Sequence, residues 1–151
     1  MFWTEESIAF LRDAAAINRY YETIAERIAP QLPENAHICD AGCGIGELSL
    51  ALKPYCHHVT AVDADELAIK TLKAHLIEGV TARCGDMETL APEKPYDAMV
   101  FCLFGRTQDT LHIAEKQCRG RIFLVKRDYS HHRFSAGKVS LGEYTAGSTE
   151  A

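Results

Sequence analysis

Three glycines at alternate positions form the part of the sequence best suited to bind a ligand. The stretch HICDAGCGIGELSL, residues 37–50, places Gly42, Gly44 and Gly46 between a short apolar run and a helix-like run. Glycines at such a junction permit positive φ angles and let a ligand approach main-chain atoms closely. Two classes of cofactor are bound in this way, and the spacing of the glycines separates them.

The spacing disfavours a dinucleotide. The dinucleotide fingerprint G-x-G-x-x-G, started at Gly42, needs its third glycine at position 47. Position 47 is Glu, and a carboxylate at the start of that helix would also repel a pyrophosphate. A nicotinamide-dependent oxidoreductase is therefore the weaker alternative.

Further landmarks follow the glycine turn in order. The runs VTAVDAD, ARCGDMETL and YDAMVFCLF begin at positions 59, 82 and 96. With the segment DAGCGIG at 40–46, they resemble the D/E-x-G-x-G-x-G signature and the next three strands of class I (Rossmann-like) S-adenosylmethionine-dependent methyltransferases. The similarity spans residues 36 to about 127. It implies S-adenosyl-L-methionine as the cofactor and methyl transfer to an unidentified acceptor. A non-catalytic module that keeps the cofactor pocket for regulation or assembly is an alternative.

The resemblance gives each landmark a role. Asp63 would accept hydrogen bonds from both ribose hydroxyls, which suit the two oxygens of a carboxylate. Its alternative role is a helix N-cap, for which Asp65 is better placed. Asp86 would accept from the adenine amino group, with the Met87 main chain facing the ring edge. An ordinary turn aspartate is the alternative for Asp86.

The methionine end of the cofactor is assigned in the same way. Asp40 would help hold the methionine ammonium, or else be a buried acid that caps local amides. Phe101 and Cys102 would present main-chain carbonyls to the same amine. Cys43 is expected to act through its backbone, and a nucleophilic thiol, for which no base partner is visible, is the alternative. The predicted cofactor-binding residues are Asp40, Gly42, Cys43, Gly44, Gly46, Asp63, Ala64, Asp86, Met87, Phe101 and Cys102.

The acceptor is left open, and no catalytic residue is assigned. Displacement at a sulfonium methyl group depends mainly on alignment and exclusion of water. Relatives that methylate amide or exocyclic amino nitrogens often carry Asn/Asp-Pro-Pro-Tyr/Phe after strand four. Residues 101–104 read FCLF instead, which disfavours those acceptors. Tyr20, Tyr21 and Phe104 are candidates for the wall of the methyl site, or for the core.

Apolar runs alternate with helical patterns, which predicts a doubly wound α/β fold with a mostly parallel sheet in a three-layer sandwich. Its ligand should lie at the carboxyl ends of the strands. Strands are predicted at 36–41, 58–63, 80–86, 96–104 and 121–127, and helices at 4–29 with a break near Asp13, 46–55, 64–79 and 106–120.

Three regions are expected along the chain. These are a helical segment at 1–33, the cofactor-binding core at 34–127, and a polar tail at 128–151. The tail is too short for the helix and strand hairpin that normally complete the family's sheet, although KVSLGEY could form one strand. Either the sequence is a truncated piece of the fold, or this member of the family has a reduced fold. The fifth strand would then be an exposed edge, which favours a homodimer or another covering contact.

The net charge of −5 hides a basic stretch at 119–138. Arg119 and Arg121 are expected at a helix end, where cations complement the dipole. The remaining basic residues follow a strand's carboxyl end, so an anionic acceptor, nucleic acid included, is an alternative to a solvated surface. Those residues are Lys126, Arg127, His131, His132, Arg133 and Lys138.

The composition points to a cytoplasmic protein. No apolar stretch is long enough to span a membrane, and the first residues do not resemble a secretion signal. Six cysteines occur without a CxxC pair, which indicates a reducing compartment and argues against a zinc site or a disulfide framework.

Overall fold

The computed structural model describes residues 2–126, which form a five-stranded sheet. All the strands are parallel, in the order β3-β2-β1-β4-β5, so the predicted doubly wound α/β fold is confirmed. The strands are β1 (His37–Ala41), β2 (His58–Asp63), β3 (Val80–Cys84), β4 (Tyr96–Cys102) and β5 (Cys118–Val125). The helices are α1 (Glu5–Ile17), α2 (Tyr20–Ile28), α3 (Glu47–Leu52), α4 (Glu66–Lys73) and α5 (Thr107–Gln117), with 3₁₀ turns at Ala29–Gln31 and Lys53–Tyr55.

Helices cover both faces of the sheet. Apolar residues of α2 and α3, such as Ile24 and Leu48, pack on one face against Ile38 and Val59, and α4 packs on the same face beside Ala61. On the other face, α5 packs through Ile113 against buried residues that include Cys39, Val62 and Phe101. From β1, the sheet grows to one side with β2 and β3 and to the other side with β4 and β5. The strand order therefore switches between β1 and β4, and parallel sheets bind ligands at such a switch point.

The N-terminal helix is interrupted at a different place from the one predicted. Thr4 caps α1 as expected, and its side chain accepts a hydrogen bond from the Ser7 N–H. The break lies at Asn18 and Arg19 instead of near Asp13. Asn18 has extended backbone angles and its side-chain oxygen accepts from the Tyr20 N–H, 3.0 Å away. An asparagine side chain that bonds to nearby main chain in this way competes with helix formation.

Two other elements are shorter than predicted. The helix expected at 64–79 ends at Lys73, and a turn in which the Val80 N–H donates to the Ile77 main-chain oxygen leads into β3. Strand β4 ends at Cys102, since Leu103 has a φ of +54° and leaves the strand. Phe104 therefore lies beyond the strand that was expected to end with it.

The boundary between α5 and β5 was also misplaced. The helix ends at Gln117 and β5 begins at Cys118, so Gly120 lies inside a strand instead of beyond a helix. A Cβ atom on Gly120 would clash with the main-chain oxygen of Asp97, next to an irregularity in the β4–β5 pairing. Glycine is required there by this close approach of two backbones.

Several predictions fall outside the described residues. These are Arg127 as the end of the fifth strand, a strand in KVSLGEY, the absent C-terminal hairpin, the exposed edge and the histidines at 131 and 132. Within residues 2–126, no helix has both the length and the apolar character needed to cross a membrane.

Candidate functional site

The glycine turn lies at the carboxyl end of β1. Gly42, Gly44 and Gly46 have φ angles of +70°, +56° and +85°, as the spacing predicted. The N–H groups of Gly42 and Cys43 both donate to the main-chain oxygen of Val62, at 2.8 and 3.0 Å. These bonds join the turn to the end of β2, so the two neighbouring strands present one continuous edge.

Asp63 is held rigidly beside this turn. One carboxylate oxygen, Oδ2, accepts from the Gly44 N–H at 2.8 Å, and the other, Oδ1, accepts from the Asp65 N–H at 2.8 Å. A carboxylate oxygen can accept more than one hydrogen bond, so both oxygens keep capacity for a ligand. Asp65, as expected, is the N-cap of α4 and accepts from the Ala68 N–H. Ala64, between the two acids, is exposed.

Trp3 contacts the turn, and the sequence analysis did not identify it. The main-chain N–H of Trp3 donates to Asp65 Oδ2 at 3.0 Å, across 62 positions of the chain. A Cβ on Gly44 would lie 2.6 Å from Trp3 Cζ2, so the indole rests directly on this glycine. Ile8 of α1 packs in one cluster with Ile45 and anchors the segment there. Only the position of Trp3 before a capped helix signals this contact in the sequence.

Phe104 covers another part of the same turn. Its ring lies against Gly42, where a Cβ would clash with it, and its centroid is 5.7 Å from that of Phe101. The left-handed backbone of Leu103 turns the chain so that the next residue faces the glycines. Phe104 is half-buried. It is therefore neither a core residue of a strand nor a free surface residue.

Asp40 lies beneath the turn and is almost completely buried, with 1% of its surface exposed. The Ser49 hydroxyl donates to Asp40 Oδ2 at 2.6 Å. The pKa of the Asp40 carboxyl is raised to about 7, mainly by burial and in addition by the charge of Asp63, although the hydrogen bonds from Ser49 lower it. Its contact with a cofactor ammonium stays a prediction.

The turn after β3 carries Asp86 and Met87. Asp86 is exposed, and its Oδ1 accepts from the Glu88 N–H at 2.8 Å. Its main-chain oxygen accepts from the Leu90 N–H at 2.9 Å. Met87 is buried, and its main-chain oxygen accepts from Nε2 of Gln117, the last residue of α5. Gln117 has no signal in the sequence pattern.

Two tyrosines of α2 approach the end of β4. Tyr20 and Tyr21 have ring centroids 5.1 Å apart, are half-buried and pack, with Cys102, against the apolar cluster on their face. Burial raises the pKa of Tyr21 above its usual range, and the nearby Cys102, Glu47 and Asp40 add to the effect. Burial likewise raises the pKa of the Cys102 thiol to about 12. Both groups are therefore protonated at neutral pH.

The backbone of Cys43 is part of the turn, and its contact with a cofactor stays a prediction. Its N–H bonds to Val62, and its thiol donates to the main-chain oxygen of Gly44 at 3.3 Å. Burial raises the pKa of this thiol, with Asp40 and Asp63 adding to the effect. Since the thiolate is the reactive form, Cys43 is not an activated nucleophile.

The basic residues do not gather around this site. Arg119 and Arg121 are on β5 near the amino ends of the strands, which corrects their expected place at the end of a helix. They bond to Asp97 and Gln31, at 2.7 and 3.0 Å. Lys126 is exposed, and the other residues of the basic stretch lie outside the described part of the chain. Across residues 2–126, no group of three or more His, Cys, Asp or Glu side chains could hold a metal ion.

Solved structures similar to this fold include proteins named as SAM-dependent methyltransferases. One structure at a TM-score of 0.68 is a TehB-like SAM-dependent methyltransferase from Corynebacterium glutamicum, 23% identical over 86% of this chain and 76% of that one. A SAM-dependent methyltransferase from Thiobacillus denitrificans, in complex with S-adenosyl-L-homocysteine, has a TM-score of 0.63 and 16% identity, with 78% and 51% covered. The YcgJ protein from Bacillus subtilis has a TM-score of 0.63 and 20% identity, with 73% and 51% covered.

These likenesses establish the fold, and the chain spans about half the length of the last two proteins. No curated protein matches the sequence. A family model described as a methyltransferase domain matches residues 38–120, which is more than half of the chain. The match takes in the glycine turn, Asp63, Asp86 and all of strand β4. The chain belongs to the methyltransferase domain family.

Proposed function

We propose that this protein transfers a methyl group from S-adenosyl-L-methionine to an acceptor that is not yet identified. The observation that carries the proposal is the attachment of Asp63 to the glycine turn through the Gly44 N–H. This hydrogen bond places the Asp63 carboxylate, whose oxygens can accept further hydrogen bonds, beside the glycine backbone of the turn. Membership of the methyltransferase domain family and the names of the solved relatives support it.

The side chains at this edge fit the cofactor. S-Adenosylmethionine presents hydroxyl and amino donors, an ammonium and a sulfonium, and the acidic groups Asp40, Asp63 and Asp86 are acceptors or anions. Within residues 2–126, none of these three carboxylates pairs with a lysine or arginine. A dinucleotide fits less well, because Glu47 is the first residue of α3 and would face its pyrophosphate.

The bound cofactor would supply an electrophilic methyl group on a sulfonium. Asp63 would hold the ribose and Asp86 the adenine amino group, while Asp40 would favour the ammonium through its negative charge. Trp3 and Phe104 would narrow the crevice over the glycines and keep water out. These residues would thus contribute alignment and a dry site, which lower the barrier of a displacement reaction.

We assign no general base. The pKa values of Tyr21 and the Cys102 thiol are raised, so both groups keep their protons at neutral pH and do not offer the deprotonated form that a general base needs. The pKa of Asp40 is about 7, but its Oδ2 is occupied by Ser49. We therefore expect an acceptor atom that reacts through a lone pair already available in the bound acceptor.

Calorimetric titration with S-adenosyl-L-homocysteine and NAD⁺ tests the cofactor. We expect the wild type to bind S-adenosyl-L-homocysteine and Asp63→Asn to bind it about 10- to 100-fold more weakly, because hydrogen bonds to a charged group are lost. Asp13→Asn, at an exposed position of α1, is the matched control and should bind normally. Binding of NAD⁺ alone, or equal affinities of the two variants, would contradict the proposal.

Catalysis is tested separately from binding. Radiolabelled S-adenosylmethionine and a cell extract should give a labelled product with the wild type and much less with Asp63→Asn. Tight binding of S-adenosyl-L-homocysteine without any labelled product would favour a non-catalytic, cofactor-binding module.

We also propose a cytoplasmic location. All six cysteines are free, although only Cys39 is buried, and free thiols persist most readily in a reducing compartment. Fractionation of cells that express the tagged chain would test the location, and recovery outside the cytoplasm would contradict it.

A further inference from the structure

Gln117 is a buried amide beside a mainly apolar cluster on one face of the sheet. It is 1% exposed and follows Ile113 and Ala114, which belong to the apolar cluster there. Within the described residues, its Oε1 atom is buried without a hydrogen-bond partner. An unpaired buried oxygen costs free energy that an apolar side chain of similar size would avoid. Packing alone therefore does not explain a glutamine at this position.

The other half of the amide is used. Nε2 donates to the main-chain oxygen of Met87, across 30 positions of the chain. Met87 follows Asp86 in the turn after β3, and β3 is an edge strand of the described sheet. The hydrogen bonds that Asp86 accepts from the Glu88 and Leu90 N–H groups are internal to this turn. They set its shape but do not attach it to the rest of the domain.

Several contacts attach the turn to the rest of the domain. The Gly85 N–H donates to the main-chain oxygen of Asp63 at 3.0 Å, and Leu90 packs against the apolar cluster of Ile113 and Ala114. The buried side chain of Met87 packs into the same apolar cluster, which fixes where the turn lies.

The hydrogen bond from Gln117 is directional, so it fixes the rotation of the peptide plane that follows Met87. The Met87 carbonyl and the Glu88 N–H belong to one planar peptide unit. Because the Glu88 N–H donates to Asp86 Oδ1, the direction of the Asp86 carboxylate depends on that rotation.

We infer that Gln117 is a positioning residue for adenine recognition, an inference that rests on the proposed function. It acts through the Met87 carbonyl and does not touch the ligand. Its hydrogen bond directs the Asp86 carboxylate and the Met87 main chain toward the adenine edge. Loss of the bond should weaken discrimination at the 6-amino group more than it weakens the fold.

The test compares two ligands that differ at that group. S-Adenosyl-L-homocysteine and S-inosyl-L-homocysteine, which carries an oxygen at position 6, are titrated calorimetrically into the wild type and Gln117→Met. We expect the wild type to prefer the adenosyl ligand and the variant to lose about three- to tenfold of that preference. The ratio of the two dissociation constants does not depend on the fraction of folded protein.

The matched control is Gln108→Met, the same substitution at an exposed position of α5. It should keep the wild-type preference. Thermal unfolding of Gln117→Met should occur within a few degrees of the wild type, because the variant removes the unpaired oxygen together with the donated bond. A merely structural glutamine would instead change the unfolding temperature and leave the ligand preference unchanged.

Gln117→Glu gives an independent readout. The ionised carboxylate has no donor for Met87, whereas the protonated form can donate. Affinity for S-adenosyl-L-homocysteine, relative to the wild type at each pH, should therefore rise as the introduced carboxyl becomes protonated. The wild type and Gln108→Met serve as references for any other pH dependence.

The possible failures are distinguishable. If the wild type binds S-adenosyl-L-homocysteine but Gln117→Met keeps the full preference and Gln117→Glu shows no added pH dependence, the inference is wrong and the proposed function stands. If the wild type does not bind S-adenosyl-L-homocysteine, the proposed function fails and the inference fails with it.

Discussion

Polar groups are arranged in opposite ways at the two ends of the parallel strands. The side of the sheet where the strands end is called the carboxyl edge here, and the side where they begin is called the amino edge. At the carboxyl edge, Asp40, Asp63 and Asp86 accept hydrogen bonds from Ser49 and from main-chain N–H groups. At the amino edge, Asp97 at the start of β4 is paired with Arg119 at the start of β5. Within the described residues, a cationic side chain neutralises the acid at the amino edge, whereas the three acids at the carboxyl edge have no lysine or arginine partner.

The amino edge is closed by contacts between neighbouring strands. Asp97 Oδ2 accepts from the main-chain N–H of His37 at 2.8 Å, and Asp97 Oδ1 accepts from Arg119 Nε at 2.7 Å. The His37 ring lies within hydrogen-bond distance of Thr60 Oγ1, at 2.7 Å. A matching contact of 2.8 Å joins His58 to Thr81. These partners satisfy one another, so we expect this edge to stabilise the fold and bind nothing.

The comparison shows how one sheet separates stability from binding. Buried or half-buried acids without a cationic partner raise the free energy of the empty protein, because desolvation disfavours their charged forms. A cationic ligand would relieve that cost at the carboxyl edge. Removal of a buried carboxylate charge at the carboxyl edge should therefore stabilise the fold and weaken ligand binding. Removal of the paired charge at the amino edge should destabilise the fold and leave ligand affinity unchanged.

Asp40→Asn should give the largest effect. Burial raises the pKa of Asp40 from its usual 3.8 to about 7, so its contribution to stability is lost as the pH rises from about 4 through 7. At pH 8 the variant should gain up to about 4 kcal/mol in the free energy of unfolding, measured with urea. A variant less stable than the wild type at pH 8 would contradict this account of the carboxyl edge.

The same residue predicts a pH dependence of binding. Affinity for S-adenosyl-L-homocysteine should fall as the pH drops below about 7, because protonation removes the negative charge that favours the ligand's ammonium. The fall should be at most about tenfold per pH unit. Asp40→Asn should bind weakly and without this pH dependence in calorimetric titrations. Retention of the dependence in the variant would assign it to another group.

Gly44→Ala should have the next largest effect. Gly44 has a φ of +56°, and an added Cβ would meet Trp3. The matched control is Gly105→Ala, since Gly105 has a φ of +49° but no atom within 4 Å of an added Cβ. Backbone strain of about 1–2 kcal/mol should destabilise both variants, while only Gly44→Ala should also weaken binding of S-adenosyl-L-homocysteine. Equal affinities of the two variants would show that the turn does not need a bare backbone.

Asp97→Asn tests the amino edge. Loss of the charge weakens the bonds to His37 and Arg119, and we expect the free energy of unfolding to fall by about 1–2 kcal/mol. Asp109→Asn, which removes an exposed ion pair with Arg106, should change it by less than about 0.5 kcal/mol. Neither variant should change affinity for S-adenosyl-L-homocysteine. A loss of affinity in Asp97→Asn would mean that the two edges are coupled.

The smallest effect is expected from the histidines of the amino edge. Burial lowers the pKa values of His37 and His58, and His57 lowers both further. His58 also lowers the pKa of His37, while Asp97 raises it. Lys53 also lowers the pKa of His58. Stability should therefore fall as the pH drops through about 6.5, by less than about 1 kcal/mol because both rings are partly solvated. His58→Asn should reduce this dependence in urea unfolding at pH 5 to 7, and an unchanged dependence would assign it elsewhere.

Features set by neighbouring residues were predictable. The parallel sheet followed from apolar runs alternating with helical patterns, and the caps at Thr4 and Asp65 followed from residue type and spacing. The positive φ angles of the glycine turn likewise followed from its spacing. Such features depend on backbone sterics and local hydrogen bonds, which a short window of sequence contains.

Boundaries were predicted less well where packing overrides local preference. Glycine is common just beyond the end of a helix, which is where the sequence places Gly120. Gly120 lies in β5 instead, because the β4 backbone approaches it closely there. Arg119 and Arg121 moved with that boundary, from the expected helix end to the amino edge of the sheet. A local pattern does not contain the neighbouring strand that decides this.

The sequence by itself determined the class of fold, the glycine turn and the acids that follow the strands, because periodicity and residue chemistry are local properties. Tertiary structure alone decided that Trp3 rests on Gly44, that Phe104 faces Gly42 and that Gln117 holds Met87. Each of these contacts joins residues far apart in the chain, so its partner is set by how the helices and strands pack against one another.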